Sequence, residues 1–151
     1  MDSDLRELYQ QVILDHNKSP RNFRVIEHAN HFAEGYNPLC GDRIEIYLQV
    51  EGDIIKDISF QGSGCAISKA SASLMSTMMK GKRIEDAKDL FHKFQDLITG
   101  KLDDDLSNDD IGKLAVFAGV KEFPSRVKCA GLAWHTVMEA LKEKDKKIIS
   151  T

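Results

Sequence analysis

A chain of 151 residues, 42% hydrophobic and 30% charged, carries enough apolar surface for one buried core, and its composition excludes disorder throughout. The net charge of -3, with lysines gathered only at "KEKDKK", excludes a basic face that tracks phosphates, so nucleic acid is not an expected partner. No apolar run approaches the roughly 18 residues that span a bilayer, and the opening "MDSDLRELYQQ" has no apolar leader core; no membrane is expected, and the cytoplasm is the expected compartment.

Leu5, Leu8, Tyr9, Val12 and Ile13 recur at helical spacing and stop at "KSPRN", which predicts an amphipathic helix from about Asp4 to His16. A short strand is expected around His31 to Glu34. From Arg43 the period changes to two: Ile44, Ile46, Leu48 and Val50 alternate with polar residues, "EGD" turns the chain, and Ile54, Ile58 and Phe60 form a second run. These segments predict a small antiparallel meander with one buried face.

After "FQGSGC" the spacing returns to three and four at Ile67, Ala70, Leu74 and Met78, so a helix should begin near Cys65 and end before Gly81. Ile84, Ala87, Phe91, Phe94 and Ile98 predict another helix ending near Gly100. The acidic run "KLDDDLSNDD" reads as a solvated connector, followed by a short helix around Ile111 to Ala118. Pro124 at a first-turn position, then Val127, Ala130, Trp134, Val137 and Leu141 on one face, predict the closing helix. This order gives a single α+β domain over 1–151: a small antiparallel three-stranded sheet with helices packed on one face.

Three cysteines, Cys40, Cys65 and Cys129, are too few and too widely spaced for a disulfide framework and fit a reducing compartment. Buried, inert thiols are the simplest reading of each, but all three fall at element boundaries, where sites are built. Gly41 follows Cys40 and Gly64 precedes Cys65, so backbone can close tightly around a bound group. A thiol at a helix N-terminus faces unpaired N–H groups, so Cys65 and Cys129 are expected to ionise readily, with Arg43, Arg126 and Lys128 as nearby cations.

Adding Asp42 gives four donors, the number tetrahedral zinc takes, although the spacing is not that of a zinc finger. Asp42 reads equally well as a strand-entry carboxylate bonded to backbone N–H groups. Met75, Met78 and Met79 read as core. "GSGCAISK" lacks the ending of a phosphate-cradling loop, and the five histidines are dispersed.

The segments "LYQQVILDHNKSPRN", "NPLCGDRIEI", "FQGSGCAISKASASLM" and "FPSRVKCAGLAW" together resemble the U-type iron-sulfur cluster assembly family (NifU N-terminal and IscU-like proteins), and within it the SufU branch. The resemblance covers nearly the whole chain and implies a small SufE/NifU-like α+β fold with Cys40, Asp42, Cys65 and Cys129 at the metal-site positions. The scaffold branch carries a histidine just before the third cysteine, where Lys128 stands here, and a shorter connection than the 64 positions from Cys65 to Cys129. The resemblance therefore implies a zinc-bound, sulfurtransferase-like sulfur carrier. It would take persulfide sulfur from a pyridoxal-phosphate-dependent, SufS-like cysteine desulfurase, use Cys40 as the nucleophile, and deliver to downstream iron-sulfur assembly proteins. The alternative it leaves is a scaffold that builds and transfers a [2Fe-2S] cluster.

Overall fold

In a computed structural model of the chain, residues 3–101, 112–142 and 147–150 are described. The order is α1 (Ser3–Lys18), β1 (His31–Asn37), β2 (Asp42–Glu51), β3 (Ile54–Ser63), α2 (Ala66–Met79), α3 (Ile84–Thr99), a 3₁₀ segment (Gly112–Glu122), α4 (Pro124–Lys142) and β4 (Lys147–Ser150). The acidic connector beyond Lys101 and the expected start of a helix at Ile111 lie outside the described residues. From Gly112 the chain takes the tighter 3₁₀ winding instead of an α-helix.

β1, β2 and β3 form the expected antiparallel meander, and β4 adds to the far edge of β1 in parallel, giving the order β3-β2-β1-β4. The alternation read in β2 is a division of faces: Ile44, Ile46, Leu48 and Val50 are buried, while Arg43 and Glu51 are exposed and Glu45, Tyr47 and Gln49 half-buried. On the buried face, α4 crosses β1 and β2, and α2 lies against β3, α4 and α1. Burying one face of the sheet under helices is what makes a meander this small stable.

Contacts on two sides fix α4, and with it Cys129. Gly35 of β1 sits so close beneath the helix that an added Cβ would lie 2.1 Å from Thr136 Oγ1, so only glycine lets strand and helix meet there. On the other side, Trp134 stacks on Phe94 with ring centroids 4.3 Å apart, and its Nε1–H donates to Ser71 Oγ at 3.0 Å. Ser71 Oγ in turn donates to the Ala130 carbonyl at 2.6 Å, tying α2 to α4 through groups that are wholly buried. Met75 and Met79 are fully buried and Met78 packs against the same core.

α1 is held to α2 by a polar contact. His16 is buried, and its Nδ1 lies 2.7 Å from Ser73 Oγ, which also accepts the Arg21 backbone N–H at 2.9 Å. Burial lowers the His16 pKa below its ordinary 6.5, and the charge of Arg21 adds to the effect. The unfolded imidazole therefore binds a proton more readily than the folded one. The stability this buried neutral ring contributes is present above pH 6.5 and lost as pH falls through the depressed folded value. The urea midpoint is expected to drop between pH 7.5 and pH 5, and to drop less in His16→Gln; equal slopes for the two proteins by tryptophan fluorescence would contradict this.

Candidate metal centre

β1 ends at Asn37 and β2 begins at Asp42, directly across the ladder from it, so Pro38, Leu39, Cys40 and Gly41 form the loop of the hairpin. The Gly41 N–H donates to the Asn37 carbonyl at 2.8 Å, and Gly41 has φ +71, the left-handed conformation that glycine adopts without strain. Cys40 rides on this loop and is exposed, whereas Asp42 is fully buried.

Asp42 reaches across to the start of α2. Its Oδ1 accepts the Cys65 backbone N–H at 2.9 Å, and its Oδ2 lies 3.9 Å from Cys65 Sγ. The backbone-bonded reading of this carboxylate is what the structure shows, and it leaves the second oxygen facing sulfur. Gly64 is required here for space. Its φ is not in the left-handed region, but an added Cβ would lie 2.6 Å from Asp42 Oδ1. Cys65 is the N-cap of α2, as the change of period predicted, and its Sγ accepts the Ser68 N–H at 3.4 Å.

Cys129 comes from the other side, on α4. Its Sγ is 3.4 Å from Cys40 Sγ, and Cys40, Asp42 and Cys129 offer donor atoms that all lie within 4.8 Å of one another. The structure thus gathers three of the four expected residues into one group. Cys65 stands at its edge, in contact with Asp42 and close enough to Cys129 to affect its proton.

That proton corrects one expectation. Cys129 is the sixth residue of α4, beyond the first turn where the helix field is felt, and is almost fully buried. Burial pushes its thiol pKa up strongly, and hydrogen bonding to Cys40, Asp42 and Cys65 together with the charge of Cys65 adds to the rise. The expected cations also face elsewhere. Arg43 pairs with Glu34 and Glu45, Arg126 lies 4.6 Å over the ring of Phe123, and Lys128 lines a separate groove between α3 and α4.

Binding a metal ion through Cys129 requires its buried thiol to give up its proton to the cation's charge. The donor set therefore fits a soft divalent ion: thiolate sulfurs and one carboxylate oxygen, with the 3.4 Å between Cys40 and Cys129 sulfurs close to the about 3.8 Å that tetrahedral Zn–S bonds of about 2.3 Å impose. One residue escaped the sequence reading. Asn37 is wholly buried, with its Nδ2 3.9 Å from Cys129 Sγ; its only signal was its place in "NPLCGD".

A cavity that cannot accept a methyl group gives a direct test. Gly64→Ala should displace Asp42 and weaken Zn2+ binding about 10-fold or more, the cost typical of disturbing a ligand's support. Gly119→Ala, with nothing within 4 Å of the added carbon, should not. Competition against a chromophoric chelator reads both, and equal affinities for the two variants would contradict the geometry.

The family described as "NifU-like N terminal domain" matches residues 8–130. The zinc-dependent sulfurtransferase SufU of Bacillus subtilis (strain 168) is 41% identical over 143 residues, covering 95% of each chain. The iron-sulfur cluster assembly scaffold protein IscU of Thermotoga maritima is 40% identical over 139 residues, covering 90% of this chain and 94% of its own. A solved structure from Fervidobacterium islandicum AW-1, assigned as an iron-sulfur cluster assembly scaffold protein for the SUF system, superposes with a TM-score of 0.82 at 35% identity, covering 93% of this chain and 99% of that one. No helix among the described residues is long and apolar enough to cross a membrane. With the expected meander and these matches in agreement, the chain belongs to the NifU-like N-terminal domain family of iron-sulfur cluster assembly proteins.

Proposed function

We propose that this chain, as one domain over 1–151, is a cytoplasmic sulfur acceptor of iron-sulfur cluster assembly. It holds Zn2+ through Cys40, Asp42, Cys65 and Cys129 and takes sulfur from the persulfide of a pyridoxal-phosphate-dependent, SufS-like cysteine desulfurase. The observation that carries this reading is the pairing of one exposed sulfur, Cys40, with a buried sulfur 3.4 Å away and a buried carboxylate. Such a site presents the Cys40 thiol on a turn, with Cys65 also exposed at the cap of α2, and anchors Asp42 and Cys129 in the core. The similarity to a zinc-dependent sulfurtransferase supports the same reading.

Zn2+, when bound, supplies positive charge that keeps thiolates deprotonated and does not change oxidation state. The chain's own residues do the rest. Cys40 Sγ, on the hairpin loop, attacks the outer sulfur of the donor persulfide. A new S–S bond forms at Cys40 while the S–S bond of the donor breaks, and the donor cysteine leaves as a thiolate that takes a proton from solvent. Oxidation state is conserved, because the sulfane sulfur passes from one cysteine to the other. Cys129 is buried and Cys65 Sγ caps α2, so neither competes well as the acceptor. The acquired sulfur would then pass to downstream iron-sulfur assembly proteins.

The second reading, a scaffold for a [2Fe-2S] cluster, draws support from the similarity to IscU at nearly the same identity. The two separate in one experiment. With a desulfurase and cysteine, the wild-type chain should gain a sulfur atom on Cys40 and accelerate turnover, and Cys40→Ser should do neither. If Cys40→Ser still accelerates turnover, while anaerobic reconstitution with iron and sulfide gives a coloured cluster that passes to an acceptor protein, the scaffold reading replaces it.

A further inference from the structure

Asn37, the last residue of β1, is a fully buried carboxamide whose side-chain hydrogen bonds, among the described residues, run to the hairpin loop and to sulfur. Its Oδ1 accepts the Leu39 N–H at 3.2 Å and its backbone carbonyl accepts the Gly41 N–H at 2.8 Å, so it grips the loop on both sides of Cys40. Across the ladder it pairs with Asp42. Its Nδ2 points at Cys129 Sγ, 3.9 Å away.

A buried amide N–H needs an acceptor, and the one this group faces is sulfur. A thiol is a poor acceptor and a metal-bound thiolate a much better one, so the contact tightens when the site is loaded. Donation to a ligand sulfur draws electron density from it and makes it a weaker nucleophile, which is how groups outside the ligand set tune a metal site. Among the described contacts Cys40 Sγ has no such amide donor and is exposed.

We propose that Asn37 is a positioning residue that decides which sulfur reacts. By donating to Cys129 it keeps that sulfur an inert ligand, and by clamping the loop it holds Cys40 and Asp42, on either side of Gly41, toward the same point. This rests on the zinc-site reading above and goes beyond it by ranking the sulfurs.

The test needs no sulfur transfer. In protein loaded with 113Cd2+, the Asn37 Nδ2 protons should show scalar coupling to cadmium through the hydrogen bond to Cys129. In Zn2+-loaded protein, limited alkylation by iodoacetamide should modify Cys40 well before Cys129. Asn37→Asp keeps an acceptor for the Leu39 N–H but has no N–H to donate, and Asn37→Leu, of similar size, has neither. In both, Cys129 alkylation relative to Cys40 should rise about 10-fold.

Metal bound with no coupling to Asn37, or an unchanged order of alkylation in both variants, overturns the proposal and leaves the zinc site standing. If the variants fail to fold, the wild-type coupling alone decides. A chain that binds neither Zn2+ nor Cd2+ overturns the zinc-site reading itself.

Discussion

The hydrogen bond from the Cys65 backbone N–H to Oδ1 of the fully buried Asp42, 2.9 Å long, is the contact on which the site depends. It joins the first residue of β2 to the cap of α2, two elements 23 positions apart, and it exists because Gly64 has no side chain to push the carboxylate away. Once Asp42 is hooked in this way, the hairpin loop before it has one place to go. Cys40 then lies beside Cys129, which α4 carries in from the opposite side. The core supplies the rest of the rigidity: Gly35 lets α4 lie directly on β1, and Ser71 with Trp134 locks α4 to α2.

Electrostatics makes this arrangement more than a packing solution. Three ionisable sulfurs and a carboxylate gather with little room for water around two of them, and the basic side chains that sequence proximity suggested are spent elsewhere, on Glu34 and Glu45 or over Phe123. The protonated state of Cys129 is the consequence, as burial and its acidic neighbours oppose a bare thiolate there. A cation at the centre reverses that balance. The exposed flank at Cys40 and Cys65 leaves solvent, and an incoming partner, able to screen the surplus negative charge.

Much of this was legible in the sequence, and the parts that were not have identifiable causes. Period 3.6 located α1 through α4 and period 2 located β2 and β3, because each element buries one face and the pattern is local. The boundary at Cys65 followed from the change of period and that near Gly100 from the end of the helical spacing, and Gly100 does end α3 at φ +81. β4 was missed because its partner β1 lies more than a hundred residues earlier and a four-residue run after "KEKD" carries no alternation of its own. The direction of a side chain on a helix was also hard to read. Lys128 and Cys129 are adjacent in sequence but separated by about 100° around α4, so one lines an outer groove while the other enters the core. Gly64 was singled out for its missing side chain and for backbone freedom, and it is the missing side chain that matters, leaving space for a carboxylate.

X-ray absorption at the zinc edge of the freshly purified protein bears most directly on the proposal that Cys40, Asp42, Cys65 and Cys129 share one ion. The proposed site predicts a tetrahedral ion with three sulfur neighbours at about 2.3 Å and one oxygen at about 2.0 Å. A shell of oxygen and nitrogen alone, or a single sulfur, would mean that the sulfurs of the hairpin loop, the α2 cap and α4 do not share an ion.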